Sequence, residues 1–598
     1  MNETKHSVRK RFWRWLVWLV PIAVLLQAAV VRQGVVLGFP ALPYELGPAD
    51  SDIWLRLAQV RQFINGDFFD HTVRNTNAPG GGVSIHWTRP MDFLLSLFYF
   101  LTPAGLADTT RLLLASVWLP PVLGLACFGV LMKAVRRRFN NVHALWMLVL
   151  LLAANPLFPY FTPGESDHHG LLALLWCGVI CLLMRPLTTG GAWIAGALSG
   201  LMIWVSTEGL MLYALTLGIL GLAALRRPEE MRRFFYVTLS AAIVAAAGLA
   251  VEVPFAEIFR FQMNDTLSIV YVMLLALIAA GTCLLSCPVI TRLSFPRRVF
   301  WAAMAGLGAL GIEIILFPRV VQGPLAGADP FITHEFFARV MESKPLSAQS
   351  WVVILQHIWQ PALTLILICA TWRRKLRASR KRQMLTLAVM LAGTFAMTLA
   401  QGRWTYYLQP PALVALATIL PVWSRAATRR WGRKIERVLR PYLALLAAGV
   451  IVMAIGAPFD YTPDQNLWNC QAQLRYVIQT QQLQKLLGDA PRILYVPPEA
   501  GGDVLFFTPY RIIAGEYHRE GKGLKALAEI EAAEKPEAAK IFLARRKVDS
   551  LLACPIFQKP PSWMHGLSPQ QHPAWLTPVP GLTFMKLPGP KPVLFTVK

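Results

Sequence analysis

Charge is what this chain has least of. Only 15% of its 598 residues are Asp, Glu, Lys or Arg, while 55% are hydrophobic. Apolar runs of about twenty residues recur, the length a helix needs to cross a bilayer. The balance excludes an ordinary soluble fold and predicts a polytopic α-helical membrane protein. Acidic residues are scarcer still: 33 against 58 basic ones, a net charge of +25. Such an excess often marks a nucleic-acid binder. Here the basic residues cluster in short loops between apolar runs, the pattern that sets membrane orientation. The expected partners therefore include membrane lipids and no nucleic acid. Cysteine is sparse and forms no CxxC zinc pattern. Cys127, Cys177, Cys181, Cys283, Cys287 and Cys369 lie in or beside apolar runs and read as small core residues. Cys470 and Cys554 are the two in the polar C-terminal region, and could pair if that region is extracytoplasmic. No internal repeat and no long low-complexity segment occurs.

Basic residues (Lys5, Arg9, Lys10, Arg11, Arg14) surround the start of a first apolar run at 12–31. No small-residue cleavage site follows it, so it reads as a retained helix. Further runs cover 112–132, 144–160, 170–184, 191–205, 207–225, 234–251, 267–286, 299–317, 351–371, 383–400, 405–423 and 441–457, giving thirteen expected spans. A shorter run at 92–103 has re-entrant or interfacial length. The connections alternate in character. One set is basic: Lys133 to Arg138, Arg226 to Arg233, Thr291 to Arg298, Arg373 to Arg382 and Arg425 to Arg440, with Arg185 opening a weakly charged member. Basic loops stay in the cytoplasm. The other set holds the acidic and aromatic residues and shares the outer face, including long loops at about 32–90 and 318–350. The first of these is too long for an idle connection. An odd number of spans puts the N-terminus inside and the C-terminal region outside, periplasmic for a bacterial inner membrane. Residues 1–457 are thus expected as the membrane domain and 458–598 as a periplasmic α/β domain. In the latter, strand-prone runs at 493–496, 504–508, 511–514, 551–553, 582–585 and 593–597 surround a helical stretch near 522–547.

Ionisable residues beside a membrane are costly unless paired, hydrated or bound to an ion, so dense clusters are candidate sites. The densest is Gly164-Glu165-Ser166-Asp167-His168-His169. On the same expected face lie Asp50-Ser51-Asp52, Glu342 in the loop after the ninth span, and Arg403 at the mouth of the twelfth. Carboxylates from separate loops would bind a hard divalent cation such as Mg²⁺ or Mn²⁺. That cation could neutralise a phosphate leaving group. Arginine recognises phosphate bidentately, and a remaining carboxylate could act as general base. His168 could ligate the metal, and His169 and Arg89 could contact phosphate. Each feature also has a plainer reading. Asp50 and Asp52 follow Gly47-Pro48 and could cap a helix, as could Glu165 and Asp167 after Pro163-Gly164. Arg403 could anchor a helix end, and Trp54 and Trp87 could be interfacial belt residues or a sugar platform. Tyr517, His518 and Arg519 form a polar stretch able to bind sugar or phosphate.

These short motifs, in this order and on one face, resemble the GT-C integral-membrane glycosyltransferases, most closely the catalytic subunit of oligosaccharyltransferase. That family has thirteen spans and a C-terminal domain outside. Its first external acidic motif is matched by Asp50-Ser51-Asp52, and its second, of the DxD or ExD kind, by Glu165-Ser166-Asp167. Its later motif ending in Glu is similar in position to Arg339-Val340-Met341-Glu342. Its phosphate-binding Arg before a Tyr-containing span is matched by Arg403 with Tyr406 and Tyr407. The resemblance implies Asp52 as metal ligand and acceptor-activating base, with Asp50 beside it. It implies Glu165 and Asp167 as metal ligands, Glu342 completing the site, and Arg403, with Tyr406, holding the donor phosphate. The family's WWD sequon-reading motif has no counterpart; Trp468-Asn469-Cys470 is the nearest stretch.

The expectation is therefore a membrane glycosyltransferase. It takes a sugar or oligosaccharide from a polyprenyl-linked phosphate donor to a glycan, lipid or surface-polymer acceptor. The competing readings are a transporter or flippase of lipid-linked glycans and a non-catalytic scaffold for glycan export. The former predicts repeat symmetry and charges within spans.

Overall fold

A computed structural model of the chain describes residues 30, 51–136, 158–338, 340–372, 378–431, 465–554, 562–584 and 591–597. The first described loop holds α1 (Ser51–Ile64), an antiparallel hairpin of β1 (Thr72–Val73) and β2 (Val83–Ser84), and α2 (Arg89–Leu101). There follow α3 (Asp108–Arg136), α4 (His168–Leu183), α5 (Thr189–Val205), α6 (Glu208–Arg226), α7 (Met231–Glu252), α8 (Ile269–Leu285) and α9 (Phe295–Leu316). Beyond an irregular stretch come α10 (Trp351–Trp372), α11 (Ala378–Ala400) and α12 (Thr405–Trp431). Six helices among the described residues are long and apolar enough to cross a bilayer: those at α3, α6, α7, α9, α10 and α11. Three more apolar helices, α4, α5 and α8, are shorter. The chain is a polytopic helical membrane protein. The expected runs at 12–31 and 441–457, and most of 144–160, lie outside the described residues.

The helices pack through small residues. Ala192, Ala195, Gly196, Ser199 and Gly200 form one buried stripe of α5. A Cβ at Gly196 would stand 2.2 Å from the Val237 carbonyl oxygen of α7. Only glycine permits that approach, and close backbone contact is how helices gain packing energy where lipid competes for apolar surface. The short run before α3 forms the amphipathic α2 instead of a span. Its thirteen residues bury Arg89, Met91, Asp92, Leu95, Ser96 and Tyr99 and expose Phe93, Leu97, Phe100 and Leu101. A charged inner face and an apolar outer one suit a helix lying at the membrane surface.

The C-terminal region begins with α13 (Gln465–Gln479) and α14 (Gln482–Leu487). It continues through β3 (Ile493–Tyr495), α15 (Gly501–Phe507), β4 (Arg511–Ile512), α16 (Gly521–Ala532), α17 (Pro536–Arg545), β5 (Ser550–Ala553), β6 (Leu576–Pro578) and β7 (Val593–Val597). Its five strands run in the order β4-β3-β5-β7-β6. β3 lies parallel to both β4 and β5, while β7 lies antiparallel to β5 and β6. The run at 504–508 is helical in α15, not a strand. Its apolar residues are buried all round, so hydrophobicity alone could not separate the two. Residues 582–584 carry no strand, and β6 forms earlier, at Leu576–Pro578. Cys470 of α13 and Cys554 at the end of β5 are joined as a disulfide, with Cα atoms 6.0 Å apart.

This region docks onto the first loop. A Cβ at Gly502 would lie 2.4 Å from the Ser51 carbonyl oxygen, so α15 sits directly on the start of α1. Trp54 is 1% exposed and packs on Phe506 and Phe507 at ring distances of 5.7 and 5.1 Å. The segment leading into the β1–β2 turn pairs with the β4 edge through Ile512 N–H to Asn75 O and Ala78 N–H to Ile512 O, both 2.9 Å. Covering an edge strand in this way leaves its backbone groups satisfied.

Candidate functional site

The densest polar cluster stands at one end of the helical bundle. A turn at Gly164, in the left-handed region (φ +96°), brings the chain into α4. Asp167 takes the N-cap position there, and its Oδ1 accepts from the His168 backbone N–H at 2.6 Å. The capping expectation is met, and the same carboxylate also serves the cluster. Its Oδ1 is 2.6 Å from His168 Nδ1, and its Oδ2 is 3.4 Å from His169 Nε2. On the far side of the ring, His169 Nδ1 meets the Tyr407 hydroxyl at 2.6 Å. That hydroxyl donates to Glu208 Oε2 at 2.7 Å. Arg403 completes the chain, donating from NH1 to Glu208 Oε1 at 3.1 Å and from NH2 to Glu342 Oε1. One continuous network therefore runs Asp167–His169–Tyr407–Glu208–Arg403–Glu342. It ties the starts of α4, α6 and α12 to the irregular segment before α10. Tyr160 and Tyr406 close the side, with rings 4.5 Å apart and Tyr160 5.1 Å from His169.

The fields in the cluster are strong because it is largely dry. Burial opposes ionisation of Asp167, but the His168 and His169 rings and the Arg56 guanidinium outweigh it, holding its carboxyl below the usual range. Arg56 stands one helical turn beyond Asp52 on α1 and lies over the Trp87 ring at 4.5 Å. Asp52, half-buried in the first turn of α1, is close enough to add to the upward push on the Tyr517 phenol, most of which comes from burial. The Tyr517 hydroxyl is 2.6 Å from both His86 N and His86 Nδ1. Next along the chain, His518 and Arg519 both bind Asp265, at 3.0 Å to Oδ2 from His518 and 2.7 Å to Oδ2 from Arg519 Nε. Burial would raise the Asp265 carboxyl, but these two donors hold it well below its ordinary range. This ion pair borders a polar cavity of about 610 Å³, walled also by Arg319, Asn264 and Lys522.

Asp167, His168 and His169 offer ligand atoms that all lie within 4.8 Å of one another. His168 Nδ1 is buried and faces Asp167 Oδ1 at 2.6 Å. A divalent ion would take both groups as ligands in place of that contact. The residues fit a divalent ion. Two imidazoles beside one carboxylate suit Mn²⁺ or a later transition ion better than Mg²⁺, which prefers oxygen.

No family model matches the sequence, and no curated protein matches it significantly. Solved structures do. The archaeal oligosaccharyltransferase AglB of Archaeoglobus fulgidus, in complex with an inhibitory peptide and a dolichol-phosphate, superposes with a TM-score of 0.64 at 14% identity. The match covers 90% of this chain and 69% of that one. The same enzyme tethered to an acceptor peptide with an NVT sequon gives 0.62 at 14% identity over the same shares. Its complex with Zn and sulfate gives 0.58 at 15% identity, over 89% and 68%. The chain shares the fold of that archaeal enzyme.

Within that fold the expected site residues divide. Asp167, His168, His169, Glu342, Arg403 and Tyr406 meet around one end of the bundle. Glu165 precedes the N-cap by two residues, half-buried in the turn. Asp50 lies outside the described residues. Arg89 must be reassigned. It is fully buried, and its guanidinium is occupied by Asp92 Oδ2 at 2.9 Å and by the carbonyls of Phe68, Asp67 and Asp70, so it locks the first loop and is not open to a phosphate. Trp54 and Trp87 are neither belt nor sugar platform; both are buried under the C-terminal region. Tyr517 is 2% exposed and spent on His86, whereas His518 and Arg519 do line a cavity. Glu208 and Tyr160 are members that belong to none of the motifs, and Tyr407, part of the Arg403 motif, proves to be the link between His169 and Glu208. A lone Glu opening an apolar helix on the expected outer face was the available signal for Glu208.

Proposed function

We propose that this protein is a glycosyltransferase that moves a sugar or oligosaccharide from a polyprenyl-linked phosphate donor to an acceptor on the outer face of a bacterial inner membrane. The observation that carries the reading is the part-buried network joining Asp167, His169, Glu208, Arg403 and Glu342, drawn from separate loops, in a chain with the AglB fold. The Cys470–Cys554 disulfide supports an oxidising compartment for the C-terminal region. Arg403 is the group suited to a donor phosphate. Its planar fork presents several donors, and the two carboxylates that hold it also aim it. Asp167 and His168, with His169, would hold a divalent ion, which supplies charge neutralisation for the departing phosphate. Asp52 serves as base. It takes the proton of the acceptor hydroxyl as that oxygen attacks the anomeric carbon and the carbon–oxygen bond to phosphate breaks, with inversion. Glu165 and Asp50 lie beside these groups in sequence and are assigned supporting acidic roles. Because the sequence has no WWD motif, the acceptor is a glycan, lipid or surface polymer and not a sequon peptide.

The test replaces Asp52 and Asp167, singly, by Asn in cells, followed by analysis of surface glycans and of lipid-linked donor. Loss of product with accumulated donor on the outer leaflet is expected. A flippase would strand the donor on the inner leaflet, and wild-type glycans in both variants would rule the enzyme out.

A further inference from the structure

A second cavity lies at the opposite end of the same helices. α6 carries Glu208 at its start and Arg226 at its end, and α4 runs from His168 to Leu183. α11 begins near Arg382 and ends just before Arg403. At 1.5 Å per residue these spacings put the two ends roughly 25 Å apart. Leu183, Arg226 and Arg382 all line this far cavity, whose volume is about 410 Å³.

Its chemistry is a ring of cations on an apolar wall. Arg185, Arg226, Arg227, Arg233 and Arg382 border it, with Glu230 as the one acid of the lining. Glu230 is already committed: it takes Arg382 through two bonds, at 2.8 and 3.0 Å, and lies 3.4 Å from Arg227. Among the described residues, no hydrogen bond or ion pair engages the side chains of Arg185, Arg226 or Arg233. The walls are built: Gln383 Nε2 donates to the Met184 carbonyl at 2.8 Å, fixing α11 to the end of α4. Leu222, Leu385 and Val389 line the cavity and are exposed, an apolar face of the kind that lipid tails cover.

We propose that this cavity binds the phosphate headgroup of an anionic lipid, with the tail leaving between Leu222 and the Leu385–Val389 face of α11 into the bilayer. Unpaired guanidinia recognise phosphate oxygens, and basic pockets between membrane helices take anionic headgroups. The apolar side of the cavity favours a lipid over free phosphate. A phospholipid and a polyprenyl phosphate offer the same chemistry. The site does not depend on the glycosyltransferase reading, and it touches none of the residues assigned to transfer.

The test measures lipid retention by native mass spectrometry and thermal stability of the purified full chain in detergent. Phosphatidylglycerol, polyprenyl phosphate, phosphatidylcholine and inorganic phosphate are added separately. At least one of the two anionic lipids should be retained and stabilising, whereas phosphatidylcholine and inorganic phosphate should not; which anionic lipid wins identifies the source. In Arg226→Gln/Arg233→Gln, affinity should fall by roughly tenfold or more, while Arg226→Lys/Arg233→Lys keeps most of it. The single Arg226→Gln, at an exposed position, serves if the double variant does not fold. Equal retention of the anionic lipid by wild type and the Gln variants, or phosphatidylcholine binding as well, overturns the proposal.

Discussion

Arg403 and Arg226 belong to opposite ends of one helical layer and are used in opposite ways. Arg403 is held between Glu208 and Glu342, and Glu208 opens the helix that Arg226 closes. At the first end three carboxylates meet one arginine, and the groups are linked through Tyr407 and His169. At the second, cations outnumber acids and several guanidinia have no protein partner among the described residues. A network pinned from several elements fixes geometry, which bond-making chemistry requires. A loose ring of arginines on an apolar wall tolerates variation in its ligand, which suits a lipid headgroup.

The sharpest way to break this comparison is to remove one charge from each end. Asp167→Asn should lower transfer by about a thousandfold, ~4 kcal/mol of lost transition-state stabilisation. Chelation of divalent ions should reduce wild-type transfer and leave little further to lose in the variant. If the variant retains transfer within threefold, the Asp167 cluster is structural.

The two ends can also be separated by stability. Cys470 and Cys554 close a loop of 84 residues. Their replacement by Ser should cost the C-terminal region about 4 kcal/mol, read as a lower melting temperature under non-reducing conditions. The cavity at the arginine end should still bind lipid in that variant.

Glu520 offers a test by pH. It is buried, accepting from the Thr76 hydroxyl at 2.6 Å and from the Gly515 N–H, and burial raises its carboxyl to about 8 from an ordinary 4.5. The folded chain therefore holds a proton that the unfolded chain releases between those values. Stability is greatest below about pH 4.5 and falls as pH rises through about 8. Glu520→Gln should abolish that loss, gaining up to about 5 kcal/mol over wild type at pH 9 and little at pH 4. Thermal melts across this range check it. A pH-independent difference between the two proteins would mean that Glu520 does not carry the proton.

The smallest expected effect is at the arginine end itself. Arg226→Gln should leave transfer within about threefold, less than 1 kcal/mol, assayed in detergent with saturating donor. A hundredfold loss would show that the two ends are coupled, which their separation argues against.

Much of the first end was legible in the letters. Asp167, His168 and His169 are adjacent, so their density announced them. Arg403 and Glu342 stood out as isolated charges on the expected outer face. Glu208 did not, because one acid at a helix start reads as an ordinary first-turn residue. Arg89 misled for a related reason: an Arg in an aromatic loop looks the same whether it faces a ligand or the carbonyls of Phe68 and Asp70. The arginine end was visible only as basic loops. Nothing in their sequence distinguishes arginines that snorkel to water from arginines that wall a cavity.

By itself the sequence determined the membrane class, the apolar helices and the short acidic motifs. These follow from local composition, since bilayer thickness and backbone hydrogen bonding leave a run of twenty apolar residues few alternatives. Only the tertiary structure decided which charges meet. Asp167 and Glu208 are 41 residues apart in the chain and Glu208 and Arg403 are 195 apart, and one part-buried network joins all three. It also decided that Trp54 and Trp87 are covered, because whether an aromatic ring faces solvent depends on what the rest of the chain lays over it.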